Sequence, residues 1–144
     1  MQRRTIHEVL AEARGRLRRL TPLETARAMG DGATLVDTRE ADVRDHGGTI
    51  PGSVHIPLSV LEWRVDPASG YQHPALAGRE DRIILICQEG YSSSLAAVRL
   101  HELGFVNTTD VIGGFEAWVA AGLPVDLPLA NAGEHRHLAN ASEV

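Results

Sequence analysis

The chain has 144 residues, of which 43% are hydrophobic, and this predicts one domain with a real core and short extensions. No apolar run reaches the roughly 18 residues that a membrane-spanning helix needs, and no apolar stretch follows the N-terminus as a secretory signal requires. We therefore expect a cytoplasmic protein without membrane contact. The single cysteine excludes an internal disulfide and leaves a free thiol.

The net charge of −5 is unevenly distributed, and all 14 basic residues are arginines. Six arginines lie in the first 20 residues against Glu8 and Glu12, which gives +4, and eight face 17 acids in the remainder, which gives −9. The basic segment could contact an acidic partner or nucleic acid. The interleaved glutamates and the acidic body favour a solvated helix face instead, so we expect no nucleic-acid binding.

Two helices are predicted at the start of the chain, each opened by a capping box, at 5–8 and at 21–24. Apolar residues at helical spacing extend the first helix towards Leu20, and the second should end at Gly30. We interpret residues 1–20 as an N-terminal helical extension that precedes the main domain.

Short apolar runs rich in β-branched residues predict strands buried on both faces, most clearly at 83–86 and 33–37. Helical segments alternate with these runs over short connections. This order predicts an α/β domain with a mainly parallel central sheet, flanked by helices on both faces, whose central strand is 82–86.

The only cysteine, Cys87, follows the central run directly, and a polar segment separates it from a helix that Ser93 could cap. The thiol is thus predicted at the carboxyl end of a parallel strand, over a helix start. Successive backbone N–H groups in such a loop, together with the helix dipole, favour the thiolate. The pattern predicts a nucleophile, although a small buried core residue would also fit this stretch alone.

Asp37 and Arg39 follow the second buried run, at the edge where open α/β sheets place their sites. We interpret them as a pair that fixes loop geometry rather than as direct participants in chemistry. His55, on a short predicted strand, is a conceivable base for Cys87 but is more typical of a hydrogen-bonded structural residue.

Four segments, in order, carry a family likeness: LVDTRE (35–40), TIPGSVHIPLS (49–59), IILICQEGYSSSLAA (83–97) and LGFVNTTDVIGGFEAW (103–118). Through them the chain resembles the rhodanese domain of the single-domain sulfurtransferase type. The resemblance implies a rhodanese-like α/β fold over residues 21–125. Apolar density falls afterwards, so we expect 126–144 to be a flexible C-terminal tail.

The resemblance also implies roles for individual residues. Cys87 matches the cysteine that forms a persulfide, and Asp37 and Arg39 match an Asp-x-Arg motif that supports the site. Five residues match the family's substrate-binding loop, and they are Gln88, Glu89, Gly90, Tyr91 and Ser92. Ser93 matches the residue that opens the following helix and is also expected to bind substrate. Neither a metal nor an organic cofactor is implied.

The loop departs from the family pattern at two positions. Active members commonly carry arginine after the cysteine and again before the helix-opening serine, where this chain has Gln88 and Ser92, and the loop also contains Glu89. A guanidinium grips an oxyanion in a bidentate fork, so we expect the dianion thiosulfate to be a poor donor. The loop is also shorter than that of related phosphatases, and no arginine follows Cys87 at their spacing, which argues against a phosphatase.

Three functions remain open from the sequence. The first is transfer of sulfane sulfur through a Cys87 persulfide, from thiosulfate or another persulfide donor to a thiol or cyanide. A protein could serve as donor or acceptor. The second is a rhodanese-like binding or regulatory module with little turnover. The third is a redox sensor, which would need a resolving thiol from another molecule because the chain has no second cysteine.

Overall fold

The computed structural model describes residues 2–127, and its centre is a four-stranded parallel sheet with the order β2-β1-β3-β4. The strands are β1 (Thr34–Asp37), β2 (Val54–His55), β3 (Ile83–Ile86) and β4 (Thr109–Asp110). The predicted α/β fold with a parallel sheet is confirmed. The run predicted as the central strand is an inner strand, β3, and all four of its residues are buried.

In the described part of the chain, six α-helices surround the sheet, and three short 3₁₀ turns lie in the connections. They are α1 (Ile6–Gly15), α2 (Pro22–Gly30), α3 (Ala41–Gly47), α4 (Leu61–Val65), α5 (Ser92–Glu102) and α6 (Gly114–Ala120). Both predicted capping boxes are formed, since each threonine accepts from the N3 backbone N–H and each glutamate accepts from the cap N–H.

The core has two apolar clusters, one on each face of the sheet, which confirms that helices cover both faces. One cluster joins β1 and β3 to α4 and α5 through Val36, Leu61, Val65, Leu85, Ala97 and Leu100, among others. The other joins the sheet to α6 and the surface of α2 through Leu35, Ile84, Ile86, Val111, Phe115 and Trp118. The two faces differ because successive strand residues point to opposite sides.

The first helix is shorter than its apolar spacing predicted, because α1 ends at Gly15, Arg16 forms a turn and residues 17–19 are neither helix nor strand. Leu20 forms a parallel bridge with Val111, donating its N–H to Asp110 O at 3.1 Å and accepting from Ile112 N at 2.8 Å. Leu20 therefore extends the edge of the sheet and is not part of a longer helix.

The last described residues pair with the loop before β2. Asp126 and Thr49 exchange backbone hydrogen bonds of 2.7 and 2.9 Å, so the first residue of the predicted tail is held by the domain. The rest of that prediction, 128–144, lies outside the described residues. Within residues 2–127, no helix has both the length and the apolar character needed to cross a membrane.

Candidate active site

Cys87 stands directly after β3, at the carboxyl edge of the sheet, and its side chain is almost fully buried, with 6% of the residue exposed. It lies at the base of two adjoining shallow depressions of about 240 Å³ each. Gln88 and Ser92 line both depressions, and Glu89 and Tyr91 complete the first. The surface above Cys87 is thus formed largely by its own loop and by residues that follow β1.

Two hydrogen bonds define the surroundings of the sulfur. The backbone N–H of Gly90 donates to Cys87 Sγ at 3.1 Å, and the Cys87 thiol donates to Ser93 Oγ at 3.2 Å. Burial raises the pKa of the Cys87 thiol, but the hydroxyls of Ser93 and Ser92 and the backbone N–H groups of Ser93 and Gly90 outweigh it. The pKa therefore lies below the ordinary thiol value, which favours the nucleophilic thiolate.

The first turn of α6 turns the loop carbonyls away from the sulfur. Phe115 N–H donates to Cys87 O at 2.8 Å, and Glu116 N–H donates to Gln88 O at 3.1 Å. These two carbonyls are thus engaged by α6, while the Gly90 N–H further along the loop donates to the sulfur. Gly114 makes the approach possible, since a Cβ there would lie 2.5 Å from Cys87 O.

Asp37 and Arg39 form a buried ion pair beside the loop. Arg39 Nη2 lies 2.8 Å from Asp37 Oδ2, and Arg44 Nε donates to the same oxygen at 3.1 Å. Burial raises the pKa of Asp37, but hydrogen bonds and charge from Arg39, with the charge of Arg44, lower it overall. The Arg39 guanidinium also stacks 3.8 Å from the centre of the Phe115 ring, which ties this pair to α6.

The mouth of the site carries more negative than positive charge. Arg39 lines the second depression, but its charge is engaged by Asp37, whereas Glu40 and Glu89 line the depressions from exposed positions. Val43 and Leu58, which are 40% and 38% exposed, form an apolar side of the second depression. The opening thus combines exposed negative charge with an apolar side.

Gln88 occupies the first position at which the family commonly has arginine. Its Oε1 accepts from Arg39 Nη1 at 3.4 Å, and its Nε2 donates to Glu116 Oε2 at 3.5 Å. The amide can satisfy both neighbours because it carries a donor and an acceptor. An arginine there would face the Arg39 cation.

Ser93 does not cap a helix, contrary to the prediction, because α5 begins one residue earlier, at Ser92, with Tyr91 at the N-cap. The Ser93 side chain turns instead into the protein, where its hydroxyl donates to Asp110 Oδ2 at 2.7 Å. Ser94 donates to the same oxygen at 2.8 Å. The buried carboxylate of Asp110, at 0% exposure, thus organises the start of α5 from β4.

The interpretation of the basic N-terminal segment as a solvated helix face is wrong for two of its arginines. Arg14 Nη2 and Arg19 Nη2 both donate to Gly90 O, at 2.7 and 3.1 Å, and Arg19 also pairs with Asp110 at 2.9 Å. Sequence reasoning missed these contacts because they span more than 70 residues. The excess of arginine before residue 21 was the one available signal.

His55, the conceivable base, is engaged in the support of the site. Its Nε2 lies 2.7 Å from the carbonyl oxygen of Arg39, so the ring braces the chain that follows β1. The contacts of Cys87 Sγ itself are with Gly90 and Ser93. Among the described residues, the groups that lower the pKa of the Cys87 thiol are Gly90, Ser92 and Ser93, and His55 is not one of them.

Within residues 2–127 the fold is a parallel α/β domain that holds a buried cysteine at the carboxyl end of β3, with the Gly90 N–H and the Ser93 hydroxyl against its sulfur. Within the class of parallel α/β domains the family can be identified. The model of the Rhodanese-like domain matches residues 21–121, and the chain belongs to this family.

Relatives of the chain include sulfurtransferases. It is 34% identical over 107 residues to the thiosulfate sulfurtransferase GlpE of Haemophilus influenzae, covering 74% of this chain and 92% of that protein. It is also 34% identical over 108 residues to the maize adenylyltransferase and sulfurtransferase MOCS3-2, covering 69% of this chain but 20% of that longer protein.

Among solved structures, RPA3614 from Rhodopseudomonas palustris, a protein of unknown function described as a possible tyrosine phosphatase, is similar with a TM-score of 0.77 and 31% identity. The alignment covers 88% of this chain and 97% of that one. The likeness confirms the rhodanese-type fold over nearly the whole described chain.

Proposed function

We propose that this domain transfers sulfane sulfur through a persulfide on Cys87. The observation that carries the proposal is the Gly90 N–H, 3.1 Å from Cys87 Sγ, in a loop whose Cys87 and Gln88 carbonyls accept from α6. A persulfide extends the sulfur by one atom and keeps its negative charge near the same N–H groups. Membership of the Rhodanese-like family and the sulfurtransferase relatives support the same reaction class.

The reaction has two displacement steps at sulfur. The Cys87 thiolate attacks the outer sulfur of the donor, and a new S–S bond forms. The bond that joined this sulfur to the donor breaks, and its electron pair stays with the rest of the donor, which leaves. For thiosulfate this leaving group is sulfite. In the second step an acceptor thiolate, or cyanide in an assay, attacks the outer sulfur of the persulfide and releases the Cys87 thiolate.

The side chains at the mouth support a persulfide donor over thiosulfate. The loop offers backbone N–H groups and the hydroxyls of Tyr91 and Ser92, while Glu40 and Glu89 would repel a dianion. Val43 and Leu58 could contact the organic or protein portion that a persulfide carries. We propose a low-molecular-weight or protein-borne persulfide as the donor and a thiol as the acceptor.

A binding or regulatory role with little turnover is the second candidate, and the replacement of both loop arginines by Gln88 and Ser92 favours it. A tyrosine phosphatase, the activity suggested for the neighbour RPA3614, fits less well. The residue at the phosphatase arginine spacing is Ser93, whose hydroxyl is held by Asp110 and does not carry the charge that phosphate recognition requires.

Steady-state sulfur transfer to cyanide, followed as thiocyanate, tests the proposal with thiosulfate and with an alkyl persulfide as donors. We expect turnover with the persulfide, weaker turnover with thiosulfate, and none above background for Cys87→Ser with either. If the wild type transfers sulfur from neither donor while it remains folded, the binding role replaces the enzymatic one.

A further inference from the structure

A buried polar cluster lies behind Cys87, on the side opposite the mouth. The thiol donates to Ser93 Oγ at 3.2 Å, the Ser93 hydroxyl donates to Asp110 Oδ2 at 2.7 Å, and Ser94 donates to that oxygen at 2.8 Å. Ser93, Ser94 and Asp110 are all fully buried, with exposures of 0%. The sulfur is thus connected to a buried carboxylate through one hydroxyl.

Arg19 is the counter-charge of this carboxylate. Its Nε donates to Asp110 Oδ1 at 2.9 Å and its Nη2 to Oδ2 at 3.2 Å, while Nη2 also reaches Gly90 O. Arg14 shares the Gly90 carbonyl at 2.7 Å and contacts Ser94 Oγ at 3.3 Å. Only Arg19, of these two, therefore neutralises Asp110.

The single proton of the Ser93 hydroxyl can serve only one neighbour at a time. With a neutral thiol, Ser93 accepts from S–H and gives its proton to Asp110. With a thiolate, the sulfur needs donors, and Ser93 can supply one only if it releases Asp110. If the buried Asp110 carboxylate had no other partners, the loss of this hydrogen bond would oppose the rotation of the Ser93 hydroxyl. Arg19 and Ser94 remain as those partners.

We propose that Arg19 is a positioning residue for Cys87, holding Asp110 so that the Ser93 hydroxyl can turn its proton from Asp110 to the sulfur when the thiol ionises. The S–H bond breaks and its proton passes to water or a buffer base at the mouth, while the O–H bond of Ser93 stays intact. The inference rests on the proposed function for its biological meaning, but the ionisation it describes needs no sulfur donor.

Other charges also face Cys87 or its loop, and they set the background against which Arg19 acts. They come from the N-terminal segment, the end of β1, the loop itself and α6, and they are Arg14, Asp37, Arg39, Glu40, Glu89 and Glu116. The side chains that bind the Asp110 carboxylate are instead Arg19, Ser93 and Ser94. A change at Arg19 therefore acts on the carboxylate while the other charges stay in place.

The rate of Cys87 alkylation by iodoacetamide, measured against pH, tests the proposal. We expect Arg19→Gln to raise the midpoint by about one pH unit, because an uncompensated Asp110 keeps the Ser93 proton and adds negative charge. Asp110→Asn should lower the midpoint by a similar amount. Arg19→Lys, which keeps the charge, should stay nearer to the wild type than to Arg19→Gln.

Two matched variants separate this effect from simple loosening of the loop. Arg14→Gln removes a donor from the same Gly90 carbonyl and from Ser94 Oγ but no direct partner of Asp110, and it should shift the midpoint by less than half as much as Arg19→Gln. Arg4→Gln, on the same segment but paired with exposed Glu12, should leave the midpoint unchanged. A loosened loop would instead move every loop-contacting variant upwards, towards the free-thiol value of about 8.5.

The proposal is overturned if Asp110→Asn raises the midpoint, if Arg14→Gln and Arg19→Gln shift it equally, or if Arg19→Lys behaves as Arg19→Gln. Should Asp110→Asn fail to fold, Arg14→Gln, Arg19→Gln and Arg19→Lys still decide. A protein that does not transfer sulfur could still show the expected shifts in alkylation midpoint. Variants with identical midpoints would overturn the role of Arg19 without affecting the proposed sulfur transfer, so the two proposals fail separately.

Discussion

The backbone N–H of Gly90 points at Cys87 Sγ over 3.1 Å, while the carbonyl of the same glycine is held by two arginines from the N-terminal segment. One residue thus links the reactive sulfur to a part of the chain that precedes the family domain. The glycine has φ of 88°, a conformation that other residues adopt only with strain.

Gly90→Ala should therefore weaken both the fold and the activation of the thiol. An added Cβ would lie 2.8 Å from Gly113 N, in addition to the strain of about 1–2 kcal/mol that a positive φ imposes on a side chain. Gly104→Ala is the matched control, because its φ is 99° and a Cβ there meets nothing within 4 Å. Urea denaturation should show the larger loss for Gly90→Ala, and its alkylation midpoint should rise. Equal losses would show that the close approach to Gly113 is unimportant.

Asp37→Asn should be among the most destabilising polar substitutions in the described chain. It leaves Arg39, at 4% exposure, without its ion-pair partner, and breaking a buried pair in this way costs about 3–5 kcal/mol. The free energy of unfolding from chemical denaturation measures the loss. Glu12→Gln, which breaks only the exposed pair with Arg4, should leave the unfolding curve in place. A loss below about 1 kcal/mol for Asp37→Asn would contradict the supporting role of the pair.

The same pair gives the fold an acid dependence of defined sign. Because the pKa of Asp37 is lower in the folded protein than in the unfolded chain, its contribution is fully present above about pH 4 and is lost as the pH falls through the folded pKa. The wild type should lose stability below about pH 4 more steeply than Asp37→Asn. Parallel pH profiles of the two proteins would contradict this.

Ser92→Arg should restore a cation at a position where active relatives commonly carry one. A charge-assisted hydrogen bond contributes about 1.5–3 kcal/mol, so thiosulfate use should improve by about tenfold to a hundredfold in kcat/KM, chiefly through KM. Persulfide donors should gain much less. Asn107→Arg adds the same charge beside Arg82 and Ile83, at the other end of the sheet, and should leave kcat/KM for both donors unchanged. An unchanged thiosulfate rate in Ser92→Arg, with efficient use by the wild type, would mean that another group supplies the charge.

We also propose that the 1–20 extension folds as part of the domain. Ala13 is buried on α1, Leu17 and Leu20 pack against the two core clusters, and Thr109 Oγ1 donates to Arg18 O at 2.9 Å. Deleting residues 2–20 should lower the free energy of unfolding by at least about 2 kcal/mol, from the two leucines alone. Deleting only residues 2–4, before the Thr5 cap, should change little. A full deletion with wild-type stability would show a separate appendage.

Local sequence signals predicted the fold and the position of the thiol. The apolar run 83–86 and the two capping boxes each depend on neighbouring residues, so their structures could be predicted from the sequence. The end of α1 was misplaced because apolar spacing alone does not separate a helix from the extended residues that follow it. Leu20 fits both patterns until its bridge to Val111 is known.

The part of the site that the sequence did not reveal consists of long-range polar contacts. Ser93 resembled a helix cap because serine favours that position, but α5 begins at Ser92, and the Ser93 hydroxyl donates to the buried Asp110 carboxylate. Arg19 and Asp110 are separated by 91 residues, and nothing in either neighbourhood predicts their pairing. Such contacts depend on the tertiary fold.

The central claim is that Cys87 carries sulfur as a persulfide, and mass spectrometry of the intact protein in a single turnover tests it most directly. The protein is treated with an alkyl persulfide, freed of excess donor, analysed, and then mixed with a thiol acceptor. We predict one added sulfur on the wild type, its complete loss to the acceptor within the turnover time, and no addition on Cys87→Ser. Sulfur that adds equally to Cys87→Ser, or that stays on Cys87 when the acceptor is present, would contradict the account.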